Sequence, residues 1–273
     1  MNPCYPVLKI SNSHPRDNNI QFFEEGHIYK ILSDDSKYTS VTTWNHTHFE
    51  QFNADKVIDT MMKGNGWKKG HKYWGLTKEQ IKSQWNNNRD SAAEAGTNLH
   101  YEIECFMNMN MNKLDYTHKE LYENYMLKSE VKSIEWQYFI NFIKDFPDLK
   151  PYRTEWFIYN EDIKIAGSID MVYENPDGTL SIYDWKRTKI ITRINSYNKF
   201  ALTPSICHLP DSNFWHYALQ LNTYKTILEQ KYGKIVKDLF IVRLNPDAKE
   251  KNYELIKLPN MSREIIELFE EIK

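Results

Sequence analysis

Long apolar runs are missing from this chain. No stretch approaches the ~20 consecutive apolar residues of a membrane-spanning helix, which excludes a helical transmembrane protein. The start, Met-Asn-Pro-Cys-Tyr-Pro, has no basic segment followed by an apolar one, so no secretory leader is expected. Cysteine is scarce: Cys4, Cys105 and Cys207 are widely spaced and form no paired pattern. That argues against a zinc knuckle or a disulfide framework and points to an intracellular, reducing compartment. An excess of one charge sign is also absent. Thirty-five Lys and Arg face 37 Asp and Glu, so any nucleic-acid contact must come from a local basic patch. Aromatics, in contrast, make up 14% of the 273 residues, enough for one large core or a core with an N-terminal addition.

Residues 1–20 read as a polar, extended lead-in. Residues 21–32, with Gly26 between β-prone stretches, and 38–43 read as a hairpin of short strands. Residues 49–62 carry helical periodicity through Phe49, Phe52, Val57, Ile58 and Met61. The segment 64–75 is Gly-rich and interleaves Trp67, Lys68, Lys69, His71, Lys72 and Trp74. It is either a surface on which single-stranded bases stack or a loop tucked down by two Trp. A helix opens at the Thr77–Gln80 capping-box spacing. The pattern predicts a second helix from about Arg89 to Asn108, buried through Ala92, Ala95, Leu99, Ile103 and Phe106, and a third from Lys119 to about Phe146.

The period then changes. Residues 152–159, 163–174 and 179–188 read as three consecutive strands. A long irregular stretch, 190–213, precedes an amphipathic helix over 214–232 that stops at Gly233. Strands over 239–244 and 253–258 and a helix from Ser262, its expected cap, end the chain. This order predicts an α/β fold: a central mixed β-sheet flanked by helices over 89–273, with a hairpin and helical extension over 1–88 packed on it.

One run organises the rest: Gly167-Ser168-Ile169-Asp170, then Tyr183-Asp184-Trp185-Lys186. Asp184 and Lys186, two apart, share a face. The turn Pro176-Asp177-Gly178 fits a three-residue hairpin loop with Gly178 left-handed, which sets Asp170 opposite Asp184. Opposed like charges destabilise a sheet, and a cation resolves the conflict. The parity of Glu155 stays open, because Asn160-Glu161-Asp162 can be read either way. His100, one turn from Glu104, is either a core-edge histidine bonded to that carboxylate or a metal ligand.

These residues resemble the PD-(D/E)xK nuclease superfamily, and within it the RecB-like exonuclease branch. The resemblance rests on Gly96-Thr97-Asn98-Leu99-His100, Gly167-Ser168-Ile169-Asp170, Asp184-Trp185-Lys186 and Gln220-Leu221-Asn222-Thr223-Tyr224, in that order, and covers about residues 20–260. Ser40-Val41-Thr42 after His27-Ile28-Tyr29 is similar to the N-terminal part of phage and large-DNA-virus members, which implies such an origin. The resemblance implies a restriction-endonuclease-like core and a metal-dependent deoxyribonuclease. It implies His100, Asp170, Asp184 and the backbone carbonyl of Trp185 as metal ligands. Asp170, Asp184 and Lys186 would be the catalytic groups, with Lys186 orienting the attacking water. Gln220 and Tyr224 would steady Lys186 or the scissile phosphate, with Glu155 a minor candidate beside them. Arg187 stands where the family often has Ser or Thr, which puts the role of Thr188 in doubt.

An oxygen-rich site with one imidazole suits Mg²⁺ or Mn²⁺ better than zinc. Ser40, Thr42, Lys68, Lys69, Arg187, Lys189 and Arg193 are candidate DNA contacts. The basic run after Lys186 is equally readable as a solvated face. The expected activity is exonucleolytic hydrolysis of single-stranded or end-containing DNA in replication, recombination or repair. The alternatives are a non-catalytic nucleic-acid-binding module on the same fold, or a restriction-type endonuclease.

Overall fold

The computed structural model describes Cys4 and residues 6–109, 115–126 and 133–272. Where the pattern predicts an extended lead-in, helix α1 (Val7–Ser11) and a 3-10 turn over Pro15–Asn19 form. Residues 1–3 and 5 of that expectation lie outside the described residues. The hairpin is β1 (Ile20–Phe23) and β2 (Ile28–Ile31), turned at Gly26. Residues 38–43 do not belong to it. Thr39–Ser40 (β3) pairs in parallel with a core strand, and Val41–Thr47 is helix α2. Ser40 Oγ accepts the Thr43 N–H at 3.1 Å, a cap that ends the strand and starts the helix. Likewise α3 (Ala54–Lys63) starts at the Asn53 cap, not at Phe49, which is buried in the core.

Helix α4 (Lys78–Met107) is one helix of 30 residues where two are expected. It is about 45 Å long. Thr77 and Gln80 make the expected capping box. The run Asn86-Asn87-Asn88 looks like a break, but with no Pro or Gly between 78 and 95 its poor propensity costs only tenths of a kcal/mol per residue. The 88/89 boundary therefore falls inside a helix. Ala92 is exposed; the buried positions cluster at Ile81 near one end and Leu99, Ile103, Phe106 and Met107 near the other. In place of one helix over 119–146 stand α5 (His118–Met126) and α6 (Ile134–Asp145), and residues 127–132 of that expectation lie outside the described residues.

The strands β4 (Lys150–Asn160), β5 (Ile165–Glu174) and β6 (Leu180–Lys186) form an antiparallel meander. Helix α7 (Asn213–Lys231) then crosses over, so that β7 (Val236–Arg243) runs parallel to β6. Strand β8 (Glu254–Lys257) is antiparallel to β7, and α8 (Ser262–Glu270) closes the chain. Met261, not Ser262, holds the cap position of α8, and Asn260 Oδ1 accepts the Ser262 N–H. The strand order is β3-β5-β6-β7-β8 with β4 also on β5, a mixed central sheet flanked by helices. One apolar layer sets α2, α7 and α8 against Ile158, Ile169, Val172, Ile182 and Ile241. The other sets the end of α4 and α6 against Met171, Tyr173, Tyr183, Trp185 and Val242.

Cys4 is disulfide-bonded to Cys105 on α4, across a separation of 101 residues. This corrects the expectation of unpaired cysteines and removes its support for a reducing compartment. No spacing rule reveals a pair brought together only when the N-terminus packs on α4. Cys207 is free. Among the described residues, no helix is long and apolar enough to cross a membrane.

Candidate metal centre

The hairpin register follows the turn. Asn175 N–H donates to Thr179 O at 2.8 Å and Gly178 has φ +78°. Pairing runs from Glu174 with Leu180 to Met171 with Tyr183, and the next step sets Asp170 opposite Asp184. On the other side, Thr154 pairs with Met171 and Trp156 with Ile169, so Glu155 lies opposite Asp170. The parity left open by the sequence is thereby resolved: the β4–β5 connection begins after Asn160 pairs with Ile165. Three carboxylates, Glu155, Asp170 and Asp184, lie in a row across three neighbouring strands.

The ladder breaks at that row. Ile169 and Val172 belong to one apolar layer, Met171 and Tyr173 to the other, so strict alternation fails at Asp170. Glu155 has φ +41°, left-handed for a residue with a side chain. Such backbone costs about 1–3 kcal/mol and persists only where the surroundings impose it. The break takes Glu155 and Asp170 out of the ladder, while Asp184 stays paired with Ile241 of β7.

From α4 comes His100. Its Nδ1 lies 3.5 Å from Asp170 Oδ2, and its Nε2 lies 2.9 Å from Trp185 O. Since a carbonyl only accepts, Nε2 carries a proton, and Nδ1 is the ring atom that faces Asp170. Trp185 O, expected as a metal ligand, is engaged in orienting His100. Trp185 N–H donates to Asp170 Oδ2 at 3.1 Å, and Ser168 Oγ donates to Glu155 Oε2 at 2.8 Å. Ligand atoms of His100, Glu155 and Asp170 all lie within 4.8 Å of one another. Donors about 2.1 Å from an octahedral cation are about 3.0–4.2 Å apart, so a small contraction would seat one. Asp184, expected in this set, is not part of that group. It is 2% exposed and its Oδ2 lies 2.7 Å from Lys186 Nζ, yet no hydrogen-bond donor is aligned on that oxygen.

Burial, then the Asp170 charge, pushes the Glu155 carboxyl up to about 8. Burial likewise pushes Asp184 up to about 6, with Lys186 opposing and Asp170 reinforcing the rise. Burial alone would lower Lys186, but Asp184 and Asp170 overcome it and hold the ammonium above its ordinary value. A protonated Lys186 can donate and orient; it is not a free base. The donor set therefore carries more negative character than the protein neutralises, and two carboxylates with one imidazole fit a hard divalent cation such as Mg²⁺ or Mn²⁺.

Gln220 and Tyr224 on α7 reach the site's flank. Gln220 Nε2 donates to Tyr224 Oη at 3.1 Å and to Thr42 Oγ1 at 3.4 Å. Among the described residues neither is bonded to Lys186. Tyr224 packs on Gly167, where an added Cβ would fall 2.7 Å from Tyr224 Cε1, so glycine is required there. Ser40 is occupied as the α2 cap. Arg187 Nε is held by Glu135 at 2.6 Å, Lys189 by Asp247 at 2.7 Å, and Arg193 stacks 4.1 Å over Phe214. The structure does not bring this basic run to the cluster as free cations. Lys68 and Lys69 are exposed, far along the chain between α3 and α4. Two residues escape a sequence reading that looks only for carboxylates. Ser168 stands two positions before Asp170, and Tyr217, whose ring centre is 4.9 Å from Lys186 Nζ, stands three before Gln220 on the same helix.

No protein-family model matches this chain, and no curated protein matches it.

Proposed function

We propose that the protein is a metal-dependent DNA nuclease, an exonuclease that hydrolyses phosphodiester bonds in single-stranded or end-containing DNA. The observation that carries this reading is the convergence of His100, Glu155 and Asp170 within 4.8 Å, beside the Asp184–Lys186 ion pair. Paired carboxylates and one ammonium on neighbouring strands are the groups a phosphodiesterase needs. A bound Mg²⁺ or Mn²⁺ would supply Lewis acidity and a water of lowered pKa. His100, Glu155 and Asp170 would hold it. Asp184 keeps Lys186 charged and fixed, and Lys186 Nζ donates to a phosphate oxygen or to the attacking water. Trp185 O fixes the tautomer of His100.

The test uses end-labelled linear DNA and closed circular DNA, with Mg²⁺ and with Mn²⁺. The linear substrate is degraded, the circle is spared, and Asp184→Ala and Lys186→Ala each slow the reaction by at least ~10²-fold. Equal cleavage by wild type and both variants would sink the proposal; cutting of the closed circle would replace exonuclease with endonuclease.

A further inference from the structure

The left-handed backbone of Glu155 needs an external cause, and its two neighbourhoods supply one. Arg153, 2% exposed, places Nη1 2.7 Å from Asp17 Oδ2. Trp156 Nε1 donates to the other oxygen, Asp17 Oδ1, at 3.0 Å. Side chains three positions apart leave opposite faces of a regular strand. Here one carboxylate holds both, and between them lie Thr154 and the left-handed Glu155, φ +41°. Asp17 is itself fixed: His14 N–H donates to its Oδ2 at 2.9 Å, and it sits in the 3-10 turn before β1. Arg153 is tied a second time, to Asn12 O at 2.9 Å. Asp17, Arg153 and Glu155 line one cleft together with Glu104.

We propose that Asp17 is the positioning residue of the cation site: by gripping Arg153 and Trp156 at once, it keeps Glu155 left-handed and its carboxylate beside Asp170 and His100. Asp17 does not join the cluster; it acts through β4. The inference rests on the metal-centre reading and adds to it a residue from the lead-in, 136 positions from Arg153. Ser168 Oγ then needs only to complete the aim of Glu155 from β5.

Titration of the purified full chain with Mn²⁺ by calorimetry and electron paramagnetic resonance tests it. Asp17→Asn keeps the volume and removes the charge. It weakens Mn²⁺ binding about 10- to 100-fold, the usual effect of a group that orients a ligand. In a Glu155→Gln background the same substitution changes Mn²⁺ affinity less than about twofold, because the route through Glu155 is already cut. Arg16→Gln, which breaks the neighbouring pair with Glu161, lowers the melting temperature and leaves Mn²⁺ affinity unchanged. Should Asp17→Asn not fold, Trp156→Phe removes one of the two grips and shows the same pattern at smaller size. Unchanged affinity in a folded Asp17→Asn, or an equal loss with and without Glu155, overturns the inference. Tight Mn²⁺ binding by a wild type that never cuts DNA overturns the nuclease reading and leaves this inference standing. No Mn²⁺ binding by the wild type overturns both.

Discussion

At the centre of the sheet, Asp184 is 2% exposed and Lys186 Nζ lies 2.7 Å from it. In the segment between α3 and α4, Lys68 and Lys69 are exposed and, among the described residues, in no ion pair. Nearby, Trp67 packs 5.8 Å from Trp74 and 5.0 Å from His71, while Trp74 remains 48% exposed. The two regions treat charge differently because water differs. Inside, an uncompensated charge is expensive, so each carboxylate is paired, raised in pKa, or placed where a cation can sit. On the arm between α3 and α4, hydration stabilises an ammonium that has no partner, which leaves it available to a polyanion. The loop is thus both tucked and open: Trp67 is half-buried in its own aromatic cluster, and the lysines point outward.

The largest effect expected from this contrast is at Glu155. Glu155→Gln slows cleavage at least ~10²-fold yet raises the melting temperature without added metal at pH 8. The sign follows from the shift. The folded carboxyl, near 8, lies above its ordinary 4.5, so the unfolded chain loses its proton first as pH rises. On this account, metal-free stability is fully present below about pH 4.5 and falls as pH climbs to about 8. Melting curves across that range, flatter for the variant, check it; a wild-type curve that rises there would break the comparison. Next in size is Gly167→Ala. A Cβ 2.7 Å from Tyr224 Cε1 forces β5 and α7 apart, and a loss of about 1–3 kcal/mol in denaturant unfolding is expected. On the arm, Lys68→Ala with Lys69→Ala leaves stability within about 0.5 kcal/mol. On the proposed reading it flattens the salt dependence of single-stranded DNA binding by about 1.4 in log–log slope, about 0.7 for each phosphate no longer neutralised. An unchanged slope would remove the arm from the DNA path. A small effect of opposite sign is expected at Gly96, where an added Cβ meets nothing within 4 Å. Gly96→Ala stabilises α4 by about 0.5–1 kcal/mol, the opposite sign to Gly167→Ala. The same chemical change thus separates the packed sheet from the open helix.

Much of the fold is legible in local pattern. β-Prone runs bounded by turn residues mark β4, β5 and β6, and the capping box at Thr77 marks the start of α4. The predicted loop at Pro176-Asp177-Gly178 gives the observed pairing from Glu174 with Leu180 to Met171 with Tyr183. Two misreadings share one cause, a local signal overridden or redirected by a neighbour. Val41-Thr42-Thr43 is β-like by composition but opens α2 once Ser40 caps it. Asn86-Asn87-Asn88 is weakly helical but is carried by a helix anchored at both ends. Turn parity also treats a strand as regular, so it could not see that alternation breaks at Asp170 and that Glu155 enters there.

By itself, then, the sequence determined the α/β order of elements, the mixed sheet and the register of the β5–β6 hairpin, because propensity, capping and turn geometry act within a few residues. Tertiary structure alone decided that Glu155, rather than Asp184, completes the cluster with His100 and Asp170. It also decided that Cys4 meets Cys105 and that Asp17 grips both sides of Glu155. The last two are contacts across 101, 136 and 139 residues. Those two exist only once the chain's N-terminal segment packs against α4 and β4, and no local period encodes that closure.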